Sequence, residues 1–255
     1  MKKILKEILL LNKKEGETPL EVLENFRRKN KEYKDTKMTY AGRLDPMASG
    51  LLLVLVGEEI KNKEKYLVLD KEYEFEILFG FATDTYDILG KLVKNTEFKP
   101  TYNKVELEKK IKENLKFFTG NFVQEYPMYS SKTVAGKPLF TYARKGEKVE
   151  IPKHEVNVQS LEFFKLKKIS EKKFLKNIER RIAKVKGDFR QKEILKIWRK
   201  KLSLSKSQYF FLASFKIKCG SGTYVRSIAN SFGERIGIPA LAFSIKRTKI
   251  GKWRQ

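Results

Sequence analysis

Six consecutive apolar residues, Leu51-Leu52-Leu53-Val54-Leu55-Val56, closed by Gly57, constrain the fold more than any other stretch of this chain. A run of that length ending in glycine reads as a fully buried strand. Directly before it stands Gly42-Arg43-Leu44-Asp45-Pro46-Met47-Ala48-Ser49-Gly50. Two Gly, a Pro and a Ser mark these nine residues as a loop, which delivers one carboxylate, Asp45, to the edge of the strand. Pro46 excludes helix at Asp45 and pushes it to an extended backbone, so the direction of the carboxylate is set locally. Taken alone, an Asp-Pro turn entering a core strand is an ordinary structural feature.

Other elements follow from pattern. Leu5 to Leu11 reads as a strand. Thr18-Pro19-Leu20-Glu21 is a capping box with Pro at the first helical position, opening a helix to about Asn30 with Leu20, Leu23 and Phe26 on one face. Lys71 to Phe79 alternates, with Tyr73, Phe75, Ile77 and Phe79 on one side. Val105 to Phe118 predicts a helix with a stripe of Leu107, Ile111, Leu115 and Phe118, stopped at Gly120. Phe210 to Lys218 predicts a strand, a helix begins near Thr223 and stops at Gly233 to Gly237, and Ala240 to Ile250 closes the chain as a strand. Periodicity alone thus gives an α+β fold with several long strands.

Charge narrows the partners. The chain carries 56 Lys and Arg against 31 Asp and Glu, a net of +25. Such an excess costs stability through self-repulsion and answers a polyanion. Apolar runs stay near six residues, short of a membrane-spanning helix. Lys6 and Glu7 interrupt the N-terminal apolar stretch and no small-residue cleavage site follows, which argues against a signal peptide and for the cytoplasm. One cysteine, Cys219, excludes an internal disulfide and a multi-cysteine metal site; it reads as a small core residue. The single His154, between Lys153 and Glu155, reads as a surface residue. Neither a metal nor an organic cofactor is expected.

Several strings in order resemble the TruB family of tRNA pseudouridine synthases. The Asp45 loop is similar to that family's catalytic motif, and the resemblance makes Asp45 the catalytic carboxylate. Lys71-Glu72-Tyr73 matches the segment of the family's active-site Tyr, so Tyr73 is expected to stack on the target base. Thr83-Asp84-Thr85-Tyr86-Asp87-Ile88-Leu89-Gly90 resembles a segment expected to be structural and to line the RNA cleft. Tyr126-Pro127-Met128-Tyr129-Ser130-Ser131-Lys132 and Gly136 to Gly146 resemble RNA-facing segments. They interleave cations for phosphates with rings for unpaired bases. In Cys219-Gly220-Ser221-Gly222-Thr223-Tyr224-Val225-Arg226, the resemblance assigns Tyr224 to the active site and pairs Arg226 with the catalytic Asp. Ile245 takes the place of an apolar pocket residue beside Lys246-Arg247. Lys13 matches a loop Lys, with Lys14 where Pro is usual, and Tyr40 occupies the place of a His that positions substrate.

The resemblance implies one α+β domain over residues 1–255, with the pseudouridine synthase fold: a mixed, largely antiparallel sheet flanked by helices. It implies isomerisation of the T-loop uridine, position 55, of tRNA, without cofactor, by a monomer bound to the T stem-loop. The base must be flipped out of its stack, a carboxylate attacks carbon or stabilises charge at the sugar, and Ile245 and Tyr224 keep water out. A small C-terminal RNA-binding PUA domain, common in the family, does not fit before Gln255. An RluA-like pseudouridine synthase shares Gly-Arg-Leu-Asp, but Pro46 and the downstream segments point away from it. A catalytically silent tRNA-folding chaperone would use the same fold and charge.

Residues 165–206 stand apart from the family pattern. They hold 17 Lys or Arg against 4 Asp or Glu, a net of +13. Phe174, Ile178, Ile182 and Val185, then Ile194, Trp198 and Leu202, fall at helical spacing with a break at Gly187-Asp188. The pattern predicts an inserted helical hairpin, either a solvated appendage or an accessory clamp that neutralises phosphates.

Overall fold

The computed structural model describes residues 6–93, 103–204 and 209–255; residues 1–5 and the end of the basic island lie outside them. In chain order the elements are β1 (Lys6–Lys13), α1 (Pro19–Lys29), β2 (Met38–Ala41), β3 (Ala48–Gly57), α2 (Lys63–Leu67), β4 (Lys71–Phe79), α3 (Lys104–Asn114), β5 (Gly120–Glu125), β6 (Thr133–Val134), β7 (Lys137–Pro138), α4 (Leu139–Lys145), β8 (Lys153–Ser170), α5 (Glu171–Ile182), α6 (Gln191–Ser203), β9 (Tyr209–Cys219), α7 (Val225–Ile236), β10 (Ala240–Ile250) and β11 (Trp253–Arg254). The main sheet runs β1-β3-β10-β4-β9-β8-β5. Its pairs are antiparallel except β3 with β10, which run parallel over Ala48–Gly50 and Ile245–Arg247.

Alternation divides the sheet into two apolar faces. Tyr73, Phe75, Ile77 and Phe79 of β4 share one core with Phe211, Ala213, Phe215 and Ile217 of β9, covered by α7 and α3. Leu78, Phe210, Leu212, Leu241 and Phe243 point the other way and pack against Phe174, Ile178, Ile182, Ile194, Trp198 and Leu202 of α5 and α6. The β3 run is buried because both of its sides are covered: Leu52, Val54 and Val56 meet α1, while Leu51, Leu53 and Leu55 meet Ile250 and the α2 region.

The capping box forms as expected. Thr18 Oγ1 accepts from the Glu21 N–H at 3.2 Å, and the Glu21 carboxylate accepts from the Thr18 N–H at 2.7 Å. The apolar stripe of α1 differs from the expected one. Leu20 is 60 % exposed, whereas Val22 and Leu23 are buried. A three-residue repeat drifts around a helix, while positions 19, 22, 23 and 26 stay on one side of it. The helix over Val105–Phe118 ends at Asn114 and tightens into a 3-10 turn over Leu115–Phe118.

The inserted hairpin is present, but its first residues are not part of it. Residues 165–170 continue β8, paired with β9 out to Ser170 with Tyr209. Its apolar side chains are not solvated either: Phe174, Trp198 and Leu202 are fully buried against the sheet. A reading of the island as a solvated appendage is therefore incorrect, because its helices supply the cover that the second face of the sheet requires.

Candidate active site

The Asp45 loop is gripped from below by two buried cations. Lys13 Nζ donates to the carbonyl of Ala48 and lies 3.4 Å from that of Pro46. Arg247, on β10, donates to the carbonyls of Leu51, Gly42 and Arg43 at 2.8, 3.2 and 3.4 Å. Such bonds leave few conformations to a segment that has no ladder of its own. Gly50 allows the close approach of β3 and β10, since it has φ of +106° and a Cβ there would lie 2.2 Å from the Arg247 carbonyl oxygen. Leu44 then anchors in the core beneath α7, and Met47 anchors in the core beneath the hairpin.

Held in this way, Asp45 faces the N-terminus of α7. Arg226 Nε donates to Asp45 Oδ2 at 2.7 Å and Nη2 to Oδ1 at 3.2 Å, a forked pair. The remaining donors go to the carbonyls of Thr85 at 2.5 Å and Tyr129 at 3.2 Å. The buried carboxylate of Asp87 is 4.0 Å from Arg226 Nε. Burial works against charge on Arg226, but Asp45 and Asp87 outweigh it and push its pKa above the ordinary value. Burial also pushes the Asp87 carboxyl up, against the pull of Arg226 and the hydrogen bond from Thr85. Asp45 keeps 41 % of its side chain exposed and Arg226 only 3 %, so the carboxylate is the face of the pair that a ligand can reach.

Above this pair opens a cavity of about 600 Å³, within the range of small-ligand sites. Tyr73, Tyr224, Ile245 and Leu44 give it apolar walls, and Arg43, Lys71, Arg144, Arg190, Arg226 and Arg247 make its lining strongly basic against Asp45 and Asp87. Burial pushes the Tyr73 and Tyr224 hydroxyls upward, which keeps both rings neutral. Lys71 is lowered to about 8, chiefly by burial. A positive rim with a single exposed carboxylate suits a polyanionic ligand that presents one neutral ring to the floor. No group of three or more His, Cys, Asp or Glu side chains is arranged for a metal ion among the described residues.

Five of the residues singled out from sequence, Asp45, Tyr73, Tyr224, Arg226 and Ile245, line this one cavity. Two do not. Lys13 is fully buried under the loop, so it braces the loop instead of meeting a ligand. Tyr40 packs beside Val22 and Leu23, and its hydroxyl accepts from Arg43. His154 is not free on the surface: it stacks on Tyr126 with ring centroids 4.0 Å apart, and its Nε2 lies 3.0 Å from the Gly222 carbonyl oxygen.

Sequence reasoning left Lys71, Asp87, Arg190 and Arg247 without roles. A signal for two of them was present. Lys71 has the strand parity of Tyr73, and Arg247 that of Ile245, so alternation alone directs both toward the same floor.

The model of the family described as "TruB family pseudouridylate synthase (N terminal domain)" matches residues 28–189. A tRNA pseudouridine synthase B from Borreliella afzelii (strain PKo) is 32 % identical over 246 residues, covering 96 % of this chain and 70 % of that protein. One from Aquifex aeolicus (strain VF5) is 31 % identical, covering 95 % and 67 %. Among solved structures, a chain in a Cbf5-Nop10-Gar1 complex superposes with a TM-score of 0.57 at 17 % identity, over 97 % of this chain and 50 % of its own length. The present chain therefore spans about half the length of that solved chain, and the likeness concerns the fold.

Proposed function

The chain belongs to the TruB family of pseudouridylate synthases, and from that premise we propose that it converts the T-loop uridine of tRNA, position 55, to pseudouridine with Asp45 as the reacting carboxylate. The observation that carries this reading is the exposed carboxylate of Asp45 forked onto a buried guanidinium at the floor of a cavity sized for one nucleotide. The C1′–N1 bond breaks, the base turns, and C1′ joins C5; N1 gains a proton and C5 releases one. No redox partner is needed. Asp45 meets positive character at the sugar or carbon of the base. Tyr73 offers a neutral face for stacking, and Ile245 and Tyr224 hold water away from the severed base.

The same reading treats the chain as a single catalytic domain that acts as a monomer on the T stem-loop, in the cytoplasm. Lys172, Lys173, Lys176, Lys196 and Lys200 are exposed on α5 and α6, and they extend the footprint on phosphates beyond the cavity. Pseudouridine mapping by mass spectrometry in tRNA treated with the purified protein tests the proposal. Product at the T-loop position supports it. Product confined to other RNAs would favour an RluA-like enzyme, and refolded but unmodified tRNA a chaperone.

A further inference from the structure

Apart from Asp45 itself, Arg226 is oriented by two backbone carbonyls, those of Thr85 and Tyr129. Both belong to loops, so something must hold them. Arg190 touches both segments. Its Nη1 and Nη2 donate to the carboxylate of Asp84, the residue before Thr85, at 2.6 and 3.2 Å. Its guanidinium lies over the Tyr129 ring, 4.3 Å from the centroid. A planar fork that binds a carboxylate in its plane and a ring on its face can do both at once.

Arg190 itself is held in place. It sits at the tip of the α5–α6 hairpin with φ of 62°, a left-handed conformation that costs a non-glycine residue energy unless its surroundings impose it. The Gln191 side chain accepts from the Phe189 N–H at 2.9 Å and donates to the Val185 and Gly187 carbonyls at 3.0 and 2.8 Å. Arg144 donates to the Asp188 carbonyl at 2.7 Å. The tip is thus fastened on both sides.

We propose that Arg190 is a positioning residue for the reaction, acting through Asp84 and Tyr129 on the orientation of Arg226 and thereby of Asp45. This rests on the reading of Asp45 as the reacting carboxylate. The basic hairpin then has a second task besides any contact with phosphates: its tip completes the support of the catalytic pair. Lysine cannot substitute fully, because its point charge neither forks onto Asp84 nor lies flat on Tyr129.

The test compares the wild type with Arg190→Ala, Arg190→Lys and Asp84→Asn by single-turnover pseudouridine formation over a range of enzyme concentrations in excess over tRNA. Arg190→Ala should lower the saturating rate roughly ten- to hundredfold, a larger factor than the rise in half-saturating enzyme concentration that follows from losing one cation of the cavity lining. Arg190→Lys should recover part of that loss, and Arg190→Ala combined with Asp84→Asn should be no slower than the slower single variant. An unchanged saturating rate, or a raised half-saturation alone, would overturn the proposal and make Arg190 spectator or RNA contact. A second readout does not depend on activity: solvent exchange of the Arg226 Nε–H, followed by NMR in RNA-free protein. It should speed up in Arg190→Ala by about tenfold as the hydrogen bond to Asp45 loosens. Unchanged exchange refutes positioning, whereas a wild type that makes no product refutes only the functional reading beneath it.

Discussion

The Nε–H of Arg226 donates to Oδ2 of Asp45 at 2.7 Å across 181 residues of chain. One partner comes from a loop ahead of β3, the other from the first turn of α7, and the sheet brings the two together. Arg226 is buried, and its donors divide between the Asp45 carboxylate and the carbonyls of Thr85 and Tyr129. The fork orients the carboxylate, and the two loop carbonyls orient the fork.

Replacing Arg226 by Lys keeps the charge and removes the fork. Thr85 and Tyr129 then share a single ammonium with Asp45, and the carboxylate loses its fixed direction. Product formation should fall by about 10²–10³-fold, while tRNA binding, measured by filter retention, stays close to wild type. Equal rates would mean that charge alone suffices.

Lys13 ties stability to alkaline pH. Burial lowers its pKa from 10.5 to about 8, with Asp45 the largest of the opposing influences. Between those two values the unfolded chain binds the proton that the folded chain has released, so stability from this group rises as pH climbs from about 8 toward 10.5. Lys13→Met should remove that rise, on the order of 3 kcal/mol across the window. Lys71, lowered likewise, leaves its own rise in the variant. Urea melts at pH 7.5, 9 and 10 on both proteins provide the check; parallel curves would contradict it.

Trp198 tests the hairpin as core. It is fully buried, with its ring 5.1 Å from Phe81 and 5.6 Å from Phe174 in edge-on contact. Trp198→Ala should cost about 3–5 kcal/mol in denaturant melts. An appendage separate from the sheet would lose far less.

The exposed lysines of the hairpin give an electrostatic prediction. Removing the hairpin outright would uncover Phe210, Leu212 and Phe243, so substitution is the better probe. Lys172, Lys173, Lys176, Lys196 and Lys200 changed together to Gln should flatten the plot of log affinity for tRNA against log salt. The slope changes by about 0.7–0.9 for each phosphate that a lysine no longer neutralises. The rate at saturating tRNA should remain unchanged. A constant slope would exclude the hairpin from the RNA footprint.

Much of the fold was legible because the long strands alternate cleanly. The bounds of β10 at Ala240 and Ile250 and the inward face of β4 from Tyr73 to Phe79 were both readable. The two helices of the hairpin were readable from spacing too, since Phe174 to Val185 and Ile194 to Leu202 repeat at about 3.6 residues. What they cover was not, because a helical stripe does not name its partner. Charged residues hid best. Arg247 is 1 % exposed, yet beside Lys246 it reads as one more surface cation until its parity with Ile245 is weighed. Asp87 and Asp84 stood in a recognised segment without a role, since their partners Arg226 and Arg190 lie 139 and 106 residues downstream. Position along the chain carries no trace of such pairings.

The most direct measurement of the role of Asp45 is single-turnover pseudouridine formation by Asp45→Asn with enzyme saturating and in excess over tRNA, with binding measured on the same preparation. Asparagine preserves the shape and can still accept from Arg226, but it lacks the charge. The expected result is tRNA affinity within about threefold of wild type and no product above the uncatalysed background. Pseudouridine formed at the wild-type rate by that variant would contradict the role of Asp45.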